Sequence, residues 1–242
     1  LSRYKINKKI IEGRKMNTTT PALATIAILG GTGKEGPGLA LRWASVGYPI
    51  IIGSRQLEKA QAAAEEINRK LGVSSVTGME NSAAARAADL CVLTVVQDAH
   101  LAALESVKDA LRGKILVDAT ARVDFRSPLP PAPPSAARQA QDLLGTDVRV
   151  VAAFQNVPSN VLKKNLGQNL DADVLVCADD QDAARQVIQL AEAGGMRAYY
   201  AGGLDNALVL EGITSLLISL NQYYGVRTAS IAVLGTTKEI NS

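Results

Sequence analysis

Apolar residues fall along this chain in short unbroken runs, separated by longer stretches in which they recur at helical spacing. Thr25-Ile26-Ala27-Ile28-Leu29 is the first run. It is β-branched, ends in glycines and predicts a strand. A helix from about Lys34 to Val46 follows, then a second short strand, Pro49-Ile50-Ile51-Ile52-Gly53. Leu57, Ala60, Ala64, Ile67 and Leu71 share one face of a helix over Leu57–Leu71. A third strand lies near Ser75-Val76-Thr77, and Asn81 stands where it caps a short helix through Ala88. Leu90–Val96 is a continuous apolar run of the kind buried on both faces of a sheet. A helix over Ala99–Leu111 and a fifth strand, Lys114–Asp118, complete this half.

Strands alternating with helices predict right-handed crossovers and a parallel sheet. The texture then changes. Ser127–Pro134 holds five prolines in eight residues, which excludes helix and central strand and predicts a stiff surface loop. Beyond it the pattern predicts a helix over Ser135–Leu144 and a strand over Val148–Ala153. A strand over Val174–Cys177, a helix over Gln181–Ala193, a strand over Arg197–Tyr200 and a long helix over Leu204–Tyr224 follow. Leu208, Leu210, Ile213, Leu216, Leu217 and Leu220 cover more than one stripe of that last helix. A helix apolar on two sides is buried on two sides, here against the core and against a second copy of the chain. The expected organisation is a disordered basic leader over 1–22, a dinucleotide-binding domain over 23–153 and a smaller C-terminal α+β domain over 154–242 that serves substrate and dimerisation.

The 242 residues suffice for a sizeable core, and 47% hydrophobic against 20% charged residues is a globular balance. The net charge of +3 is local in origin. Residues 1–16 carry Arg3, Lys5, Lys8, Lys9, Arg14 and Lys15 against Glu12, so the remainder is slightly acidic and no nucleic-acid surface is expected. Within that leader Ile11-Glu12-Gly13-Arg14 resembles a protease recognition site. Cys91 and Cys177 lie in apolar strand-like runs and read as buried side chains rather than a disulfide. His100 is the single histidine, which leaves zinc almost no ligands. The longest apolar stretch, Ala207–Leu220, is broken by Glu211, Thr214 and Ser215 and is too short to span a bilayer, so a cytoplasmic protein is expected.

Chemistry concentrates at Gly30-Gly31-Thr32-Gly33-Lys34-Glu35-Gly36. Gly31, Gly33 and Gly36 form a G-x-G-x-x-G that follows a predicted strand and opens a predicted helix, the context that gives the motif meaning. Gly31 allows the sharp turn, Gly33 lets backbone approach a pyrophosphate, and Gly36 lets helix and sheet pack closely. The helix N-terminus then binds the anion. The fold class this implies is α/β, a Rossmann-type doubly wound parallel sheet with the smaller C-terminal domain appended. The second strand decides the nucleotide. It ends Gly53-Ser54-Arg55 with no acid for a ribose 2′-hydroxyl. Ser54, Arg55 and, one helical turn on, Lys59 suit a 2′-phosphate, so NADP(H) is the expected dinucleotide. Its nicotinamide belongs over the strand ends, near Thr94, Val95, Val96 and Gln97, Asp118–Thr120 and Phe154–Ser159. Acid–base groups are few there. His100 is expected in the first turn of a helix, facing solvent or the cofactor edge, and Lys163 and Lys164 on a solvated face. Hydride transfer between two ring cofactors needs mainly stacking and orientation, whereas reducing a ketone or imine needs a proton donor.

The chain resembles the NADPH-dependent reductases of the 8-hydroxy-5-deazaflavin coenzyme F-420 (F420). Ile26–Ala44 (I-A-I-L-G-G-T-G-K-E-G-P-G-L-A-L-R-W-A) and I-I-G-S-R at Ile51–Arg55 carry the likeness most strongly. T-G-M-E-N at Thr77–Asn81, V-L-T at Val92–Thr94, V-P at Val157–Pro158 and A-G-G-L-D-N-A at Ala201–Ala207, with Glu211 and Thr214 beyond, extend it. The resemblance implies NADP held through Thr32, Gly33, Lys34 and Glu35, with Ser54, Arg55 and Lys59 on the 2′-phosphate. It implies a deazaflavin stacked on the nicotinamide around Val157 and Ser159, hydride passing between the two rings, and a homodimer built on the C-terminal helix. The chain departs from the family pattern at Val95-Val96-Gln97 and at Gln155. Two other readings fit the same scaffold. One is a reductase of a small imine or keto acid, drawing a proton from His100, Lys163, Lys164 or a tyrosine of the last helix. The other is a non-catalytic NADPH-sensing protein.

Overall fold

Alternate residues of β1 (Ile26–Leu29) serve two different cores. Ile26 and Ile28 pack into one apolar cluster, and Ala27 and Leu29 into the other. Side chains of a strand point alternately to the two faces of its sheet, so an unbroken apolar run is the signature of a strand covered on both sides. The computed structural model describes residues 23–236 and confirms this arrangement. The leader expected over 1–22 lies outside the described residues. The remaining strands are β2 (Ile50–Ser54), β3 (Val76–Glu80), β4 (Leu90–Leu93), β5 (Ile115–Asp118), β6 (Arg149–Ala153), β7 (Val174–Ala178) and β8 (Ala198–Tyr200). The helices are α1 (Gly36–Ser45), α2 (Leu57–Leu71), α3 (Asn81–Ala87), α4 (His100–Val107), α5 (Ala136–Leu144), α6 (Ser159–Leu162), α7 (Gln181–Ala193) and α8 (Ala207–Tyr224).

One sheet contains all eight strands, in the order β3-β2-β1-β4-β5-β6-β7-β8. The first six run parallel, as in a Rossmann-type doubly wound fold, and the order reverses between β1 and β4. Among the described residues, the segment after 154 builds no separate sheet. β7 joins β6 antiparallel, with Ala152 opposite Cys177, and β8 joins β7 in parallel. The core follows suit: Ile28, Leu39 and Trp43 share a cluster with Val174, Val176 and Val187. The boundary expected at 153/154 therefore crosses a continuous sheet and a continuous core. Trp43 helps join the halves, donating its indole N–H to the Leu190 carbonyl at 2.9 Å and meeting the Phe154 ring edge-on at 5.7 Å.

Element ends differ from expectation where geometry tightens. α1 begins at Gly36 rather than Lys34, because the preceding residues form the glycine turn. The helix expected over Ala99–Leu111 is α4 flanked by two 3-10 turns, Gln97–Ala99 and Lys108–Leu111. β3 runs on to Glu80, so Asn81 starts α3 and does not cap it. The proline-rich stretch is the irregular loop its composition predicts, held to α8 by Ser215 Oγ donating to the Leu129 carbonyl at 2.8 Å, and to Arg122, which pairs with Glu211 of α8 at 3.0 Å, by Nη2 donating to the Ala132 carbonyl at 2.6 Å.

Candidate functional site

Gly30 follows the last residue of β1 with φ +70°, a left-handed conformation that favours glycine. Gly31 N–H then donates to the Ile28 carbonyl at 3.1 Å and the Gly53 carbonyl at 2.9 Å, which ties the turn to β2. A Cβ on Gly36 would sit 2.6 Å from the Cα of Gly31, so only glycine lets α1 start this close to the turn. Gly33 is different. A Cβ there would find nothing nearer than 3.5 Å, and the exposed Thr32, Gly33 and Lys34 leave the backbone open to a ligand. No side chain caps the first turn of α1. Pro37 has no N–H and the Gly38 N–H turns back on the Glu35 carbonyl at 2.9 Å, so the donors a pyrophosphate would meet are the backbone N–H groups of the glycine turn, beside the positive end of the helix dipole.

Asn81 is a residue that local pattern misread. Its Oδ1 accepts the Gly30 N–H at 3.2 Å, and a Cβ on Gly53 would lie 2.7 Å from that same oxygen. The pair Gly53 and Asn81 thus braces the glycine turn from β2 and α3. A possible signal is a glycine near the end of the second strand together with an Asn following the third, but nothing in one-dimensional spacing joins them.

Glu35 was expected on the ligand side. As a residue it is half-buried, yet its Oε1 is closed off from solvent and accepts no hydrogen bond. Burial pushes its carboxyl up from 4.5 to about 8. What Glu35 leaves at the open turn is its backbone, while its carboxyl turns inward.

At the tip of β2, Ser54 is buried and its Oγ accepts the Gln56 N–H at 3.2 Å. Arg55 and Lys59 are exposed, and neither forms an ion pair among the described residues. No side chain caps the N-terminus of α2 beside them. Two free cations, a hydroxyl and an open helix end suit a phosphate monoester.

On the other side of the topological switch, Thr94 is fixed by two bonds to the Leu29 carbonyl, from its N–H at 2.9 Å and from its hydroxyl at 3.2 Å. Val95 packs over Gly30, and Val96 is exposed. The third wall is the turn after β6. Phe154 is buried with φ +77°, Val157 is buried, and Ser159 opens α6 half-exposed. His100 corrects its expectation. It is only 2% exposed, and its Nε2 lies 2.6 Å from Oδ2 of the fully buried Asp118. The side chain turns inward to meet the carboxylate at the end of β5. Lys163 and Lys164 are exposed, as expected of a solvated face, and Tyr223 and Tyr224 stack edge-on at the exposed end of α8.

Residues 25–122 match the family described as NADP oxidoreductase, coenzyme F420-dependent. The F420-dependent NADP reductase of Methanothermobacter thermautotrophicus is 41% identical over 218 residues, covering 86% of this chain and 94% of that protein. The enzyme of the same name from Methanocaldococcus jannaschii is 41% identical over 219 residues, covering 86% and 97%. Among solved structures, a candidate F420-dependent NADP reductase from Arthrobacter sp. FB24 superposes with a TM-score of 0.71 at 26% identity, covering 86% of this chain and 99% of that one. The NADP-bound pyrroline carboxylate reductase of Plasmodium falciparum shares the fold, with a TM-score of 0.56 at 15% identity over 83% of this chain and 67% of that one.

Proposed function

The chain belongs to the family of coenzyme F420-dependent NADP oxidoreductases, and from this premise we infer that it transfers hydride between NADP(H) and the deazaflavin ring of F420. Its glycine turn fits the dinucleotide. The backbone of Thr32, Gly33, Lys34, Glu35 and Gly36 would hold the pyrophosphate at the uncapped start of α1, with Gly31 making the turn. Ser54, Arg55 and Lys59 would hold the 2′-phosphate. The Ser54 oxygen already accepts a backbone N–H, so its own proton is free to donate. Thr94, Val95 and Val96 would border the nicotinamide, and Val157 and Ser159 the deazaflavin. When bound, the nicotinamide supplies or receives the hydride. The protein's part is to bring two flat rings together and keep them in register, which requires orientation rather than an acid.

The observation that carries the reading of the dinucleotide is the pair of unpaired cations, Arg55 and Lys59, at the tip of β2. Two further features belong to the same proposal. The protein is a homodimer through the exposed side of α8. It also works in the cytoplasm, where its dinucleotide serves; no helix among the described residues is long and apolar enough to cross a membrane.

The deciding assay mixes purified protein, NADPH and oxidised F420 and follows the loss of the deazaflavin's visible absorbance. Bleaching at about 1 s⁻¹ or faster is expected. Tight NADPH binding without bleaching overturns the second substrate. Arg55→Ala should weaken NADPH about 10- to 100-fold through lost charge-assisted bonds and leave NADH little changed. Equal losses for both nucleotides would refute the 2′-phosphate assignment.

A further inference from the structure

The only histidine of the chain is buried at the carboxyl end of the sheet, in a chain of hydrogen bonds that joins α4, the end of β5, the turn after β6 and α8. His100 Nε2 meets Asp118 Oδ2 at 2.6 Å. Asp118 Oδ1 accepts the Thr120 N–H at 2.9 Å, which sets the course of the loop leaving β5. The Asp118 carbonyl accepts the Gln155 side-chain amide at 2.7 Å. A carbonyl only accepts, so the Gln155 atom facing it is the nitrogen, and the orientation of that amide is fixed. The Gln155 backbone carbonyl in turn accepts the Thr214 hydroxyl of α8 at 3.0 Å. Gln155 lies two residues before Val157 and four before Ser159, in the turn expected to touch the deazaflavin.

Burying such a pair is a poor route to stability, because desolvation offsets most of the attraction and apolar side chains of similar volume do as well. The network also leaves two enclosed atoms, Thr120 Oγ1 and Gln155 Oε1, without partners among the described residues. Unsatisfied polar atoms in a core cost stability and call for another reason to be there. What the arrangement delivers is fixed geometry. Apolar contacts tolerate sliding, whereas a bond of 2.6 Å between two enclosed groups does not.

We propose that His100 and Asp118 are positioning residues for hydride transfer, holding the end of β5 and, through Gln155, the turn that carries Val157 and Ser159. This rests on the function proposed above. Neither residue touches a reacting atom. Their effect is on the distance and angle between the two rings, to which transfer is steeply sensitive.

The test uses His100→Leu, which removes the donor, and His100→Gln, whose side-chain amide can replace it. Three quantities are measured for each: NADPH affinity by fluorescence, steady-state kcat and KM for F420, and the isotope effect with NADPH deuterated at C4 of the nicotinamide. His100→Leu should lower kcat about tenfold or more. It should raise the isotope effect while leaving NADPH affinity within about twofold, and His100→Gln should restore most of kcat. A nitrogen-15 spectrum of the protein without a histidine tag shows one imidazole, and its signal should shift when F420 is added to the NADP-saturated protein. Wild-type kcat and isotope effect in His100→Leu, with only a lowered melting temperature, would overturn the proposal. If that variant does not fold, the near-isosteric Asp118→Asn decides by the same ratios. A wild-type protein that binds NADPH but does not bleach F420 would overturn the function itself, a result visible before any variant is made.

Discussion

Glu35 sets two effects against each other within one residue. A carboxylate at the N-cap of a helix, where Glu35 stands, is favoured by the dipole, by about 0.3–1 kcal/mol at exposed positions. Enclosing that carboxylate without a hydrogen-bond donor costs more, and burial wins, raising its pKa to about 8. The consequence for stability follows from linkage. The folded state holds the proton more tightly than the unfolded chain, so the stability this group contributes is complete below 4.5 and is lost as pH rises toward 8. Over that window the slope is at most about 1.4 kcal/mol per pH unit. Glu35→Gln should therefore match wild type in thermal melts at pH 4 and exceed it at pH 9. A gap that stays constant with pH would show that the carboxyl is not the source. The glycines of the turn were legible from the sequence because their requirement is local: a positive φ or the absence of a Cβ. The direction of the Glu35 side chain was not, because it depends on what packs above it.

Among the elements, α6 is the one the pattern did not announce. It is a single turn, Ser159–Leu162, too short to show a period. Its place is set by α1, where a Cβ on Gly38 would lie 2.6 Å from the Cβ of Leu162. Gly38→Ala would gain up to about 1 kcal/mol of helix propensity. The clash is between atoms next to two backbones and cannot be relieved by rotation, so overpacking, typically 1–3 kcal/mol, should win. A net loss of about 1 kcal/mol is expected in denaturant melts. Because α6 must move, KM for F420 should rise more than the dissociation constant for NADPH. Unchanged KM with reduced stability would detach α6 from the ring site. The longer elements were readable for the opposite reason. The runs of β1, β2 and β4 are buried on both faces, and α2 and α7 carry clear apolar stripes, so packing and local period agree.

For the molecule as a whole, α8 has one apolar side in the core and another exposed. Leu210 and Leu217 are buried in the core, while Val209, Leu216, Leu220 and Tyr223 line the other side, exposed by 63%, 60%, 37% and 83%. Phe125, just before the proline-rich loop, and Leu129 on it are exposed by 68% and 69%, and α8 holds both through their carbonyls. Large exposed apolar side chains grouped on one helix face suit the pairing of two copies proposed above. Light scattering on the intact protein should give twice the chain mass, and Leu216→Asp with Tyr223→Asp should give a monomer. A monomeric wild type at micromolar concentration would refute the homodimer. By itself the sequence determined the alternation of strand and helix, the glycine turn, the basic tip of β2 and the two-sided character of the last helix, because each is written in spacing and residue type over a few turns of chain. Tertiary structure alone decided that β7 and β8 extend the first sheet instead of forming another, that Asn81 reaches Gly30 across 51 positions, and that His100 closes on Asp118 across 18. Those contacts depend on which elements become neighbours when both faces of the sheet are covered, and no local period encodes that choice.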